Sequence, residues 1–136
     1  MQDANLERTA ISTAQQNIEA FIKTHDVKYV SENAIFKIMG TGEETKGREA
    51  IGGLLHYFYH VAFEAKAEIK NLLITENKAF FEADFTGKHI GEFAGMPPTN
   101  KEVHVPLCVS YDIEDGLIKY ARIYMLADVM MQQLKG

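Results

Sequence analysis

A chain of 136 residues, 46% of them hydrophobic, has the size of one globular domain with a core of its own, and residues 1–136 are read as a single domain. Nineteen acidic residues against fourteen basic ones leave a net charge of −5 without any Lys/Arg block, which excludes the electrostatic footprint of a nucleic-acid or anionic-membrane binder. Met1-Gln2-Asp3-Ala4 carries neither a basic nor an apolar leader, no apolar run reaches membrane-spanning length, and the single Cys108 excludes an internal disulfide and a thiolate zinc cluster, so a reduced, cytoplasmic setting is expected.

The first element is a helix. Between Ala4 and Lys23 the residues Ala10, Ile11, Ala14, Ile18, Phe21 and Ile22 recur at spacings of three and four, which gives one apolar stripe. After the polar step Ser31-Glu32-Asn33, "AIFKIM" reads as a short strand and "GTGEETKG" as a loop. Gly47 to Phe63 reads as a second helix through Ile51, Leu54, Leu55, Phe58 and Ala62, with Glu49 in the first turn where the macrodipole favours an acid. Gly52-Gly53 weakens that helix by about 1 kcal/mol per glycine relative to alanine, which points to close packing against the sheet or a ligand.

Longer strands follow. Ala67 and Ile69 share one parity and Leu72 and Ile74 the other, so residues 65–75 form a strand with a phase slip of the kind a β-bulge makes. Glu76-Asn77-Lys78 closes a hairpin into "AFFEADFTGKH", where Ala79, Phe81, Ala83 and Phe85 alternate with polar residues. Pro97-Pro98 cannot join a ladder and turns the chain into the next strand, whose inner face carries Val105, Leu107, Val109, Tyr111 and Ile113. Asp115-Gly116 is a two-residue hairpin turn, and its register opposes Ile113 to Ile118, Tyr111 to Tyr120, Val109 to Arg122 and Leu107 to Tyr124. That register sets Tyr120, Arg122, Tyr124, Leu126 and Asp128 on the same face as the valines. A cation, phenols and a carboxylate on an apolar surface suggest a small-molecule pocket. The opposite face would then hold Cys108, Ala121, Ile123 and Met125, an apolar patch that predicts a homodimer through the outer sheet face.

"GTGEETKGREAI", "GKHIGEFAGMPPTNKEVHVPLCVSYDIEDGLI" and "RIYMLADVMMQQLKG" carry a resemblance, over nearly the whole chain, to the SnoaL-like polyketide cyclase group of the nuclear-transport-factor-2-like (NTF2-like) superfamily. Asn100 stands where that group has a turn glycine, and Lys135 separates Gln133-Leu134 from Gly136. The resemblance implies an α+β cone, a curved, mostly antiparallel sheet wrapped around helices, commonly dimeric through the sheet's outer face. It also implies cofactor-free aldol ring closure by an acid/base carboxylate on the last strand. Ungapped matching sets Arg122 and Tyr124 on the group's Arg-x-Tyr but Leu126 where the carboxylate is expected; Asp128, two residues on, is the candidate substitute. His89 matches the group's histidine and shares parity with Phe81 and Phe85.

The candidate catalytic residues are therefore Asp128 and His89, and the candidate substrate-binding residues are Arg122, Tyr124, Tyr120, Tyr111 and Phe85. No metal is expected, because His56 and His60 lie four apart on a helix without a third ligand at a usual spacing. No cofactor is expected either: "GTGEETKG" lacks the GxxxxGK[ST] spacing of a phosphate loop. Three readings stay open at this point. The chain is a cyclase-like or isomerase-like enzyme acting on an apolar carbonyl compound, a non-catalytic carrier for a small apolar or aromatic ligand, or a structural module whose interior is filled by Phe and Tyr.

Overall fold

The computed structural model describes residues 2–136, with the side chains of residues 2–7 and 10, and so Ala10 of the expected stripe, outside that description. Helix α1 (Gln2–Thr24) buries Ala14, Ile18 and Phe21, one per turn along a single stripe. It ends at His25, a non-glycine residue held at φ 55°, whose N–H donates to the Phe21 carbonyl at 2.7 Å. A single 3₁₀ turn (Val27–Tyr29) follows, capped by Asp26, whose Oδ1 accepts from the Lys28 N–H at 3.0 Å.

Strand β1 (Val30–Ile38) comes next, and the segment read as a loop contains a short edge strand, β2 (Glu44–Lys46), paired through Thr45 to Phe36. Helix α2 (Arg48–His56) is shorter than expected because it widens into a π-helical turn, Tyr57–Val61. The close approach allowed by Gly52 is to the 3₁₀ turn: a Cβ there would lie 3.3 Å from Val27, whereas one on Gly53 would meet nothing.

Four strands then run as a meander, β3 (Phe63–Ile74), β4 (Lys78–His89), β5 (Glu102–Glu114) and β6 (Leu117–Met125). The six-stranded sheet has the order β2-β1-β6-β5-β4-β3, and only the β1–β6 pair is parallel. The register of β3 on β4 slips between Ile69 and Asn71, where the sequence parity changes. Helix α3 (Ala127–Lys135) closes the chain and buries Met130 and Leu134, with the Gln133 side chain bonded to both backbone polar groups of His104 at 2.7 and 2.9 Å. No described helix is long and apolar enough to cross a membrane.

The β5–β6 hairpin begins as its turn dictates. Asp115 and Gly116 both have positive φ, 54° and 78°, and Ile113 opposes Ile118. Beyond that pair the register departs from the expected one. Lys119 is an extra residue, so Asp112 opposes Tyr120, Ser110 opposes Arg122 and Cys108 opposes Tyr124. A slip of one residue sends every later side chain to the other face. Ala121 is buried, Ile123 and Met125 point toward the core, and Tyr120, Arg122 and Tyr124 lie on the outer face. The physical reason is apolar burial: this register covers Ala121, Ile123 and Met125, where the alternative would have buried a guanidinium. The chain also leaves the sheet at Leu126 rather than continuing through Asp128 as strand.

Candidate functional site

Between α1, α2 with its π turn, and the inner face of the sheet lies an apolar pocket of about 90 Å³. Phe21, Leu54, Leu55 and Phe58 supply its helical wall; Phe85, Val109, Ile123 and Met125 are among the strand residues opposite. The polar side chains in this lining are those of His25, Tyr59 and Tyr111.

Each reaches the pocket for a local reason. His25 is the residue past the end of α1, and its left-handed backbone turns the ring back against Tyr59, with centroids 4.5 Å apart, and against Phe21 at 5.8 Å. Tyr59 sits in the π turn, where the wider helical ring shifts its direction inward, and it packs edge-on against Phe85 at 5.2 Å. Tyr111 is an inward residue of β5 that meets Phe21 edge-on at 6.2 Å.

Burial and the nearby His60 both hold His25 below the ordinary imidazole range, so at neutral pH it is an uncharged base. Burial pushes the Tyr59 phenol up to about 12. Burial, with Tyr59 adding to it, raises Tyr111 as well. Both phenols are therefore protonated donors. Neither hydroxyl has a hydrogen-bond partner among the described residues and neither oxygen is sealed from solvent, since the fully enclosed unpaired side-chain polar atom among those residues is His89 Nε2. On the far side of His25 and Tyr59 an open groove of about 560 Å³ begins, and Ile22, His25, Tyr59 and Ala67 line both spaces.

The residues singled out from the sequence are divided by the β6 register. Phe85 and Tyr111 line the pocket. Arg122 does not: on the outer face its Nη1 and Nη2 donate to the two carboxylate oxygens of Asp112 at 3.3 and 3.2 Å, and its guanidinium lies 4.5 Å over the Tyr120 ring. Burial pushes the Asp112 carboxyl up, but hydrogen bonds from Arg122 and Lys78 outweigh it and leave Asp112 below the usual carboxylate range. The Tyr120 hydroxyl donates to Glu44 at 3.3 Å, and Tyr124 is exposed on the outer surface.

Asp128 is also exposed, in the first turn of α3, where a carboxylate suits the helix N-terminus. His89 is wholly buried, yet it packs on Phe63 at 5.2 Å and is not part of the pocket wall. Its Nδ1 accepts from the Thr99 N–H at 3.1 Å and its Nε2 has no partner among the described residues, so the ring ties the Pro97-Pro98 loop to the end of β4. Because Ala121, Ile123 and Met125 face inward, they and Cys108 do not form the outer apolar patch expected of them.

Sequence reasoning passed over His25 and Tyr59. For His25 the available signal was its place three residues past Ile22, the last residue of the apolar stripe, where a helix commonly ends in a left-handed residue. Tyr59 fell between Phe58 and Ala62 of the regular helical spacing, and the π turn that re-aims it leaves no mark in that spacing.

The comparisons agree with this architecture. Among solved structures, a protein of Jannaschia sp. CCS1, provisionally described as a SnoaL-like polyketide cyclase, superposes with TM-score 0.82 at 14% identity, covering 92% of this chain and 93% of its own. A protein of Shewanella denitrificans OS-217 with the same provisional description gives TM-score 0.77 at 18% identity, with 90% and 96% covered. AclR of Streptomyces galilaeus, provisionally described as a hydroxylase, gives 0.76 at 16%, with 92% and 97% covered. At such identities the likeness is one of fold, the NTF2-like α+β cone. No curated protein matches the chain. The family model of SnoaL-like polyketide cyclases matches residues 12–134, α1 through α3, and on that match the chain belongs to the SnoaL-like polyketide cyclase family.

Proposed function

We propose that the protein binds a small, largely apolar carbonyl compound in the pocket and acts on it by acid/base chemistry without a cofactor. The observation that carries this reading is the pair of buried phenols, Tyr59 and Tyr111, unpaired in an apolar pocket beside the uncharged imidazole of His25. His25 takes a proton from the carbon next to the carbonyl, and the electron pair of that C–H bond moves onto the carbonyl oxygen. Tyr59 and Tyr111 donate hydrogen bonds to the oxygen as it becomes an enolate, an interaction that gains strength where water is excluded. Return of the proton to another carbon is an isomerisation. Attack of the enolate carbon on a second carbonyl of the same molecule is a ring closure, the reaction class of the family's name.

A second reading, a carrier that holds the same class of ligand without turnover, is favoured by Leu126, which stands where the family resemblance expects a carboxylate. One measurement separates the two. In D₂O the full chain should accelerate exchange of the α-protons of 2-tetralone, followed by NMR, and His25→Gln should lower that acceleration by about 10²-fold or more, the usual worth of a positioned base. No acceleration by the full chain, with 2-tetralone bound, would leave the carrier, and acceleration that His25→Gln does not lower would assign the base to another residue.

A further inference from the structure

As it stands the pocket is smaller than a two-ring carbonyl compound such as 2-tetralone. An apolar core cavity of about 150 Å³ takes up a single benzene ring. At about 90 Å³ this pocket does not hold a two-ring ketone until part of its wall gives way.

The parts of the wall are not held alike. His25 and Tyr111 pack on Phe21, and Tyr59 packs on Phe85, so moving any of the three would displace the polar groups that meet the ligand. Phe58 is half-buried, and what packs on it edge-on, at 5.8 Å, is Phe93 from the loop that joins β4 to β5.

That loop has two fixed stems. At the near one the N–H groups of Ile90 and Gly91 both donate to the Ala62 carbonyl, at 2.9 and 3.0 Å, and Gly91 leaves no room for a Cβ beside the Val61 carbonyl. At the far one the Thr99 N–H donates to His89 Nδ1 at 3.1 Å and the Asn100 N–H to the His89 carbonyl at 2.9 Å. Between the stems, Phe93 and Met96 exchange backbone hydrogen bonds of 3.0 and 2.8 Å across Ala94 and Gly95, both at positive φ. Residues 92–98 are therefore closed on themselves, and Glu92, Ala94, Gly95, Pro97 and Pro98 are exposed. Such a turn can lift without losing its own bonds. It is held down by the ring contacts of Phe93 with Phe58 and Phe63 and by a hydrogen bond of 2.7 Å from the Tyr57 hydroxyl to the Glu92 carbonyl. Tyr57 is exposed and takes no part in the pocket lining.

We propose that residues 92–98 are a strap over the pocket: it lifts so that Phe58 can swing aside, a ligand enters, and the Tyr57 hydrogen bond closes the strap behind it. This inference rests on the small-molecule reading of the pocket and adds the way a ligand reaches it. Entry on this side leaves His25, Tyr59 and Tyr111 in place. Loop motions of this kind run on the microsecond to millisecond scale and set the rate at which an enclosed site fills.

The test follows the fluorescence of prodan, a two-ring ketone, mixed with the full chain in stopped flow. A strap that must lift first makes the association rate level off with prodan concentration, at the rate of lifting. Tyr57→Phe removes one tie and leaves the pocket lining intact, so it should raise that plateau about 3- to 10-fold, the worth of one hydrogen bond. Should that variant fail to fold, Phe93→Leu loosens the other tie and should raise the plateau likewise. Tyr124→Phe, which removes an exposed hydroxyl from the outer face of the sheet, should leave it unchanged. A rate that climbs linearly with prodan, a plateau that the strap variant leaves where it was, or one that Tyr124→Phe raises equally overturns the strap, and the pocket stands so long as prodan shifts the methyl NMR signals of Leu54, Leu55 and Met125. Prodan that shifts none of those methyls overturns the pocket reading and this inference with it.

Discussion

His25 occupies a position that favours glycine. Left-handed backbone costs an L-residue about 1–2 kcal/mol, and a helix end of this kind is usually closed by Gly or Asn. Replacing His25 with glycine should relieve that strain and lose the contacts of a half-buried ring, two effects of similar size. His25→Gly is expected to stay within about 1 kcal/mol of the parent in urea unfolding while the proton exchange it supports disappears. Tyr59→Phe makes a complementary case. Its hydroxyl has no described partner to abandon, so stability should hold or rise slightly while affinity for a carbonyl ligand falls about 5- to 30-fold, the worth of one hydrogen bond in a dry site. A fall in melting temperature without a fall in affinity would make Tyr59 a core residue and nothing more. Of the residues that carry this site, Tyr111 and Phe85 could be read from strand alternation alone. His25 and Tyr59 could not, because both owe their direction to single-residue departures from regular helix.

Elements were legible wherever period and turn chemistry agreed. The stripe of α1, the slip in β3, the alternation of β4 and β5 and the Asp115-Gly116 turn all appear as their sequences specify. Asn100, in place of the turn glycine, has φ 59°, a conformation that asparagine tolerates better than most residues. The bulge in β6 was the consequential miss. A turn fixes the first pair of a hairpin, but an inserted residue further on resets the parity, and only the apolar set Ala121, Ile123 and Met125 signalled which parity the core would take. Ile123→Asp tests the assignment. With Ile123 in the pocket wall, the substitution should destabilise the chain by roughly 2 kcal/mol or more through an unpaired buried carboxylate. A variant of native stability that differs only in oligomeric state would return Ile123 to the outer face.

For the whole molecule, the family was legible because its most specific run, from Gly87 to Ile118, spans the loop pinned by His89, all of β5 and the turn into β6. The candidate site within this scaffold is a property of local geometry, which the family's motifs do not encode. One global consequence is the dependence of stability on pH. His25 titrates lower in the folded chain than its ordinary value of about 6.5, so the unfolded chain takes up its proton first as the solution is acidified. The contribution of neutral His25 is therefore complete above about pH 6.5 and is lost as pH falls from there through the folded-state value. Urea midpoints at neutral pH and near pH 5 should differ less in His25→Gly than in the parent. The proposed proton exchange should follow the same group, rising with pH to a midpoint below about 6.5. It should then stay level, because the Tyr59 phenol ionises only near about 12.

The single parallel pair in the sheet has its own consequence for how the chain comes together. β1 lies beside β6, Val30 next to Ile118 and Ile38 next to Ile123, so the two strands are neighbours in space and distant along the chain. In the meander from β3 to β6 each strand pairs with the next in the chain, through short turns at 75–77 and 115–116 and a longer loop at 90–101, which is the fast kind of pairing. On the ribosome, at about 5–20 residues per second, β1 waits on the order of ten seconds for the strand it must join. During that interval α1, which packs on both β3 and β6, has only part of its final sheet to cover its apolar stripe. α1 and β1 are made well before their docking can be completed, which makes α1 a part of the nascent chain that a holding chaperone would find.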